Sequence, residues 1–211
     1  MRTDTEPPPT PPDLHAHGLL LTPYRETPDA QALFDITPDG TLRYFPARPI
    51  PWNLEGFTAF MRDLHRKAHG LTFTVRDAST RAPLGSTSFY EADGPNRAAE
   101  IGATWYAPHL QGTRINPACK LLMLSFAFDG GLGALLGWNV HNCQRVQLKC
   151  DARNTRSQRA IEKLGAVREG VLRRHRVCSD GFARDTVVYS ILAEEWPAVR
   201  ANLERRAAAS P

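Results

Sequence analysis

The stretch of sequence that decides the fold is Gln111-Gly112-Thr113-Arg114-Ile115-Asn116-Pro117, and an apolar run over residues 121–128 follows it. Asn116 is a favourable N-cap residue, because its side chain can accept a hydrogen bond from a free backbone N–H at the start of a helix. Pro117 suits the first position of that helix, where its missing N–H has no partner in any case. The sequence therefore predicts a polar, glycine-containing loop that leads directly into a buried helix.

A β-strand is predicted immediately before this loop. In residues 100–105, the apolar side chains of Ile101, Ala103 and Trp105 alternate with their neighbours and share one face. A strand, a loop and a buried helix in this order direct free backbone N–H groups and the positive end of the helix dipole to one point. The motif is typical of a phosphate-binding loop, and an ordinary strand-to-helix connection is the alternative.

The composition indicates one ordinary globular domain. The chain has 211 residues, of which 42% are hydrophobic and 23% are charged. A net charge of +4 favours anionic ligands such as phosphates, but it is not by itself the pattern of a nucleic-acid-binding protein. The one basic cluster, residues 173–176, falls in a predicted strand and fits a solvated face. We therefore expect no nucleic-acid partner.

The cysteines indicate neither a metal site nor disulfide bonds. None of the four stands in a C-x-x-C pair, and no secretory leader or membrane-spanning apolar stretch is evident. We expect reduced thiols in a cytoplasmic protein with no bound metal and no membrane contact. Cys119 lies in the first turn of the predicted buried helix, where a thiolate could be stabilised.

Hydrophobic periodicity and turn residues predict the order of elements along the chain. Residues 1–13 are predicted to form a disordered, proline-rich arm, and residues 14–211 form the domain. The predicted order is one strand, two helices, three strands, a helix, a strand, a helix, two strands and a final helix. This order predicts an α+β fold with a mixed sheet.

A glycine-rich segment follows the central helix. Residues 129–144 contain four glycines around apolar side chains that include Trp138, and ordinary helix-to-strand connections are shorter than this. The segment is predicted to be an insertion or a broken helical turn. It could pack on a second subunit, so a homodimer is one hypothesis.

Two motifs together resemble the GCN5-related N-acetyltransferase (GNAT) family, and most closely its RimJ/RimL-like branch of ribosomal-protein N-terminal acetyltransferases. The first motif is the run over residues 105–116, and the second is Asn154-Thr155-Arg156-Ser157 with the helix that continues to Gly165. The resemblance covers residues 18–203. It implies a single domain with a mixed, mostly antiparallel sheet, flanking helices and central strands that splay apart.

The resemblance implies acetyl-CoA as cofactor and a site that holds it. The backbone amides of the loop would bind the pyrophosphate, and the loop residues concerned are Gln111, Gly112, Thr113, Arg114, Ile115 and Asn116. The pantetheine arm would take the place of a strand partner between residues 100–105 and 146–150, where a backbone N–H would polarise the thioester carbonyl. Asn154 would hold the pantetheine amides, and Ser157 would supply a proton to the CoA thiolate. Both residues also have a structural alternative, as the N-cap and third residue of a helix.

The implied reaction is direct attack by a primary amine, either a protein N-terminal α-amine or a small amine. An ammonium ion has to lose a proton before it can attack, so a carboxylate base is expected. Glu169 resembles the position of the base proposed in the RimL-like branch and is preferred, and Glu100 is the alternative. Each could instead form a simple ion pair with a basic residue at the surface.

The sequence departs from the family pattern at three positions. Arg114 and Asn116 stand where the wider family has small residues, and an arginine fits only if its φ is negative. The tyrosine that many members use as the general acid is replaced by Ile161. These departures favour Ser157 or water as the acid. They also leave open a non-catalytic CoA-binding module as the alternative function.

Overall fold

The computed structural model describes residues 9–208, which form one mixed sheet with helices on both faces. The strands are β1 (Leu14–Ala16), β2 (Leu19–Pro23), β3 (Thr72–Asp77), β4 (Pro83–Asp93), β5 (Ala98–Tyr106), β6 (Arg145–Asp151), β7 (Val167–Val177) and β8 (Ala183–Leu192). The helices are α1 (Glu26–Asp35), α2 (Leu54–Lys67), α3 (Ile115–Phe128), α4 (Gly131–Leu136), α5 (Thr155–Glu162) and α6 (Trp196–Ala208). The predicted fold class and order of elements are confirmed, with β1 and α4 as additions.

The spatial order of the strands is β1-β2-β3-β4-β5-β6-β8-β7. Every neighbouring pair in this order is antiparallel except β5 and β6, which are parallel. The parallel pair joins the N-terminal meander β1–β5 to the C-terminal antiparallel strands, which lie in the order β6-β8-β7. The centre of the sheet is therefore where the two halves of the chain meet.

Two apolar clusters cover the two faces of the sheet. The larger cluster lies between the sheet and α3, α5 and α6, and the smaller one lies beneath α1 and α2. The alternation of residues 71–75 predicts a half-buried strand, but Thr72 and Thr74 of β3 are also fully buried. The prediction was wrong because α1 and α2 cover the face that carries these threonines, and their hydroxyls are hydrogen-bonded there to Ser88 and Asp29.

The start of α3 differs from the prediction. The helix begins at Ile115 with Arg114 as its N-cap residue, so Pro117 occupies the third helical position and not the first. The third position also lacks an intrahelical partner for its N–H, so proline is tolerated there equally well. The side-chain oxygen of Asn116 is not a cap, because it accepts a hydrogen bond of 3.3 Å from the hydroxyl of Tyr106.

The segment after α3 contains the short helix α4, as the broken-turn prediction anticipated. Leu132 and Cys143 bury their side chains in the larger cluster, so the segment packs on its own domain. A homodimer stays a prediction. Of the predicted proline-rich arm, residues 1–8 lie outside the described residues, and residues 9–13 have no regular secondary structure.

A buried ion pair ties α1 to the sheet. Asp29 accepts hydrogen bonds of 2.9 Å from the backbone N–H of Arg25 and from the hydroxyl of Thr74, and it also pairs with Arg76 of β3. The Asp29 side chain is 3% exposed. The carboxylate therefore satisfies three buried polar partners. Without it, burial of these groups would be unfavourable, most of all for the charged guanidinium of Arg76.

We expect the substitution Asp29→Ala to lower the free energy of unfolding by about 3–5 kcal/mol, because it leaves the Arg76 guanidinium without a counter-ion. Urea denaturation would measure this change. Glu26→Ala, which removes an exposed ion pair between Glu26 and Arg62 of α2, is the control in the same helix and should have a far smaller effect. Equal losses in the two variants would contradict a special role for the buried pair.

Candidate active site

The two central strands part from each other after a short paired segment. The parallel pairing of β5 with β6 runs from Ala98 and Arg145 to Glu100 and Gln147 and then stops, although both strands continue. Residues 102–106 and 148–151 thus border an opening, which we call the splay. The splayed central strands implied by the resemblance are confirmed.

A β-bulge in β5 accompanies the splay. Ser88 pairs with Gly102 and Ser86 pairs with Trp105, so Ala103 and Thr104 together oppose the single residue Thr87. Ala103 has a φ of +46°, which is uncommon for a residue with a side chain. A bulge bends the strand that carries it, so it turns the second half of β5 away from β6.

The predicted phosphate-binding loop lies between β5 and α3. The backbone N–H groups of Gly112, Arg114 and Asn116 make no hydrogen bond within residues 9–208, whereas that of Thr113 bonds to Leu110. Gly112 has a φ of +86°, a conformation that favours glycine. Free N–H groups at the start of a 14-residue helix form an arrangement suited to an anion.

The Arg114 side chain leaves this loop open. Arg114 has a φ of −65°, so the arginine is not strained at a position where the wider family has glycine. Its guanidinium donates a hydrogen bond of 2.6 Å to the backbone oxygen of His17, in the turn between β1 and β2. The arginine thus supports the loop from outside and does not fill the anion site.

The second motif packs against the first. Asn154 is the N-cap of α5, and its side-chain oxygen accepts a hydrogen bond of 3.0 Å from the backbone N–H of Ser157, which is the third helical residue. Arg156 of the same helix donates a hydrogen bond to the side-chain oxygen of Gln111 in the loop. Both motifs therefore flank the mouth of the splay, and the structural alternative for Asn154 and Ser157 is confirmed.

Glu100 occupies the point at which the splay begins. Its Oε2 lies 2.8 Å from Nζ of Lys149, which also lies 2.8 Å from a carboxylate oxygen of Glu91. The other oxygen, Oε1, makes no hydrogen bond within the described part of the chain, and a Cβ at Gly102 would come within 2.9 Å of it. Oε1 of Glu100, which is available to accept a hydrogen bond, thus lies over Gly102, the first residue of the splay.

Opposing effects set the charge state of this cluster. Burial raises the pKa of Glu100, and the Lys149 ammonium only partly offsets this. Although burial opposes it, the two carboxylates Glu100 and Glu91 raise the pKa of Lys149. A carboxyl group with a raised pKa is a better base at neutral pH than an ordinary glutamate.

Glu169, the preferred base from the sequence, has different surroundings. It lies on β7, and β8 and β6 separate that strand from β5. Its carboxylate accepts a hydrogen bond from Ser190 and forms an ion pair of 2.8 Å with Arg145, which hold its pKa below the ordinary value. The side chain is 42% exposed. The structure therefore brings Glu100, and not Glu169, to the splay.

Sequence reasoning missed three charged residues at this site, which are Glu91, Lys149 and Lys120. Lys149 and Glu91 could have been suspected only with the register of β4, β5 and β6 known, because they are distant in sequence. Lys120 carries a stronger signal: it is a lysine within a helix that is otherwise apolar, and lysine is rarely fully buried.

Three further expectations concern the Cys119 thiolate, metal binding and membrane contact. Burial raises the pKa of Cys119, which disfavours the stabilised thiolate considered for this position. Within residues 9–208, no group of three or more histidine, cysteine, aspartate or glutamate side chains is arranged to hold a metal ion. None of the helices in the same range is long and apolar enough to cross a membrane.

Comparison with known proteins places these features in one family. The model of the acetyltransferase (GNAT) domain family matches residues 18–167. YdaF of Bacillus subtilis (strain 168), which is named as a candidate ribosomal N-acetyltransferase, is 30% identical over 112 residues, or 53% of this chain and 55% of YdaF. The chain thus spans about half the length of this curated relative.

Solved structures agree over almost the whole chain. A candidate acetyltransferase from T. thermophilus is 33% identical, with a TM-score of 0.79, and the match covers 93% of this chain and 97% of that one. The fold also matches Mycobacterium smegmatis RimJ in complex with CoA-disulfide, at 23% identity and a TM-score of 0.66 over 94% of each chain. The parted strands, the loop before α3 and these matches lead to one conclusion: the chain belongs to the GNAT family of acetyltransferases.

Proposed function

We propose that the protein is an N-acetyltransferase that moves the acetyl group of acetyl-CoA to a primary amine. The observation that carries this proposal is the splay between β5 and β6, with free backbone N–H groups at its mouth and Glu100 at its inner end. An anionic cofactor with a long, narrow arm fits this combination of an anion site and an opening between two strands.

The residues present suit acetyl-CoA, whose thioester supplies an activated acetyl group. The N–H groups of Gly112, Arg114 and Asn116 would bind the pyrophosphate, and the polar groups of unpaired residues in β5 and β6 would bind the amides of the arm. Gln111 and Asn154 support the two sides of the mouth. The complex of RimJ with CoA-disulfide and the solved complex of MccE with acetyl-CoA and AMP, a protein of the same fold, support this assignment.

Glu100 is the better candidate for the base. Its Oε1 is free and its pKa is raised, whereas the pKa of Glu169 is lowered by contacts that occupy its carboxylate. Glu100 would take a proton from the incoming ammonium, directly or through water, and the amine nitrogen would then attack the thioester carbon. A backbone N–H of β5 would stabilise the oxyanion. The contacts thus favour the alternative base of the sequence interpretation.

The acceptor is a primary amine, either at a protein N-terminus or in a small molecule. Glu100 and Lys149 lie on the face of the sheet that α1 and α2 cover, so we place the acceptor on that side. The name of YdaF, a candidate ribosomal N-acetyltransferase, supports an acceptor amine in a ribosomal component. The argument from Arg114 for a non-catalytic module is weakened, because this arginine neither strains nor fills the loop.

The first prediction from this proposed function concerns the loop. In the variant Gly112→Ala, the new Cβ disfavours the φ of +86°, so the free N–H groups should turn and affinity for acetyl-CoA should fall by about tenfold. Isothermal titration calorimetry would measure the affinity. Gly40→Ala is a matched control, since Gly40 has a φ of +87° and equally open surroundings but lies far from the loop in sequence. Equal affinities in both variants would contradict the assignment of the loop.

The second prediction separates the two carboxylates. Glu100→Gln should lower kcat/KM by about 10²- to 10⁴-fold, because it removes the base and keeps the shape of the side chain. Glu169→Gln should have a much smaller effect. Release of the CoA thiol with a panel of amines would measure both, with thermal unfolding and acetyl-CoA affinity as checks on the fold. The opposite ranking would make Glu169 the base.

The third prediction concerns pH. Activity should fall as the pH drops through the raised pKa of the base, because the protonated carboxyl cannot accept a proton. Lys149→Met removes the cation that lowers the pKa of Glu100. The acidic limb of the pH–activity profile should therefore move to higher pH by about one unit. Arg145→Met, which removes the partner of Glu169, should leave the limb in place. A shift in the second variant alone would refute Glu100.

A further inference from the structure

A buried lysine lies beside the splay and has no carboxylate partner. Lys120 of α3 is 4% exposed, and no carboxylate of the described residues lies within 4.0 Å of its ammonium. Its Nζ donates one hydrogen bond, of 2.6 Å, to the hydroxyl of Thr104. An ammonium has three N–H donors, so a buried lysine with one acceptor is incompletely satisfied.

The position of this ammonium follows from that of Thr104. Thr104 belongs to the β5 bulge, beyond the last residue that pairs with β6, and its hydroxyl is also 2.8 Å from that of Thr87. Lys120 reaches Thr104 from α3, on the opposite face of the sheet from Glu100. Its ammonium therefore lies at the side of the splay that faces α3.

On the other side of the splay, burial raises the pKa of the Cys150 thiol in β6 to about 11, and the neighbouring Ser157 hydroxyl partly offsets this effect. Cys150 belongs to the cluster beneath α3. Ile161, one turn further along α5, has no proton to offer. Because a serine hydroxyl is a much weaker acid than an ammonium, Lys120, which lies on the α3 side of the splay, is the stronger candidate acid for the departing thiolate.

We propose that the Lys120 ammonium is the site that receives the sulfur of the departing CoA thiolate, and that Lys120 is the leaving-group acid. This inference rests on the proposed function. Glu100 passes the proton that it took from the ammonium to solvent. As the C–N bond forms and the C–S bond breaks, the C–S electron pair goes to sulfur and the second proton of the nitrogen goes to Glu100. Lys120 stabilises the thiolate, gives it a proton and regains that proton from solvent.

The surroundings of Lys120 agree with this role. Burial lowers its pKa to about 8, which makes the ammonium a stronger acid than an exposed lysine and leaves it mostly charged at neutral pH. Among the described residues, the Cys119 thiol is the one titratable group that acts on this charge. Burial raises the pKa of that thiol, which favours its neutral form. No neighbouring anion therefore competes with a thiolate for the ammonium.

The first test separates this role from a structural one. A buried ammonium without a counter-ion destabilises a fold, so Lys120→Met, which is apolar and of similar length, should leave the melting temperature unchanged or raise it. Lys163→Met, at an exposed lysine at the end of α5, is the matched control. A marked fall in the melting temperature of Lys120→Met alone would show that the lysine also stabilises the fold, and the thiol pKa of CoA bound to the wild type then decides the proposal.

The second test measures the thiol of bound CoA without turnover. Ultraviolet absorbance of the thiolate, followed against pH, gives the thiol pKa in each complex. In the wild type and in Lys163→Met, the pKa should lie about one unit or more below that of free CoA, because an ammonium favours the adjacent anion. In Lys120→Met it should return to the value of free CoA.

The outcomes distinguish the two proposals. If the wild type binds neither CoA nor acetyl-CoA, the proposed function fails and this inference with it. If the wild type binds both but Lys120→Met leaves the thiol pKa unchanged, or weakens both ligands equally with no change in that pKa, only the role of Lys120 is refuted. If Lys120→Met does not fold, a bound-thiol pKa in the wild type at or above that of free CoA refutes it.

Discussion

The structure depends on the point at which two parallel strands stop pairing. β5 and β6 exchange hydrogen bonds only from Ala98 to Glu100, and the bulge at Ala103 then bends β5 away. Unpaired backbone groups inside a sheet are unfavourable unless something replaces the missing partner. The surrounding antiparallel pairs hold the strands apart, so the rest of the fold maintains an opening that its own backbone does not fill.

Different charged groups lie beside that opening on the two faces of the sheet. On the side of α1 and α2, Glu100 carries a free oxygen and a raised pKa, and Lys149 restrains its other oxygen. On the side of α3, the Lys120 ammonium lies at the splay and hydrogen-bonds to Thr104. A base on one face and an acid on the other would keep the two proton transfers of an acyl transfer apart.

Much of this arrangement follows from local sequence signals. Gly112, which requires a positive φ, and the apolar run after it predicted the loop and the buried helix, because these are short-range properties of the backbone. The N-cap at Asn154 followed from the same kind of signal. Local signals did not predict where α3 begins. Proline is tolerated at any of the first three helical positions, and the side chain of Asn116 bonds to Tyr106 and does not cap the helix.

The sequence by itself determined the fold class, the order of elements, the family resemblance and the loop at the mouth of the splay. Only the tertiary structure decided between Glu100 and Glu169, since the pKa of a carboxyl depends on neighbours that are remote in the chain. It likewise decided that the guanidinium of Arg114 contacts His17 outside the loop. Burial and charge pairing arise from strand register and helix packing, and no local pattern encodes them.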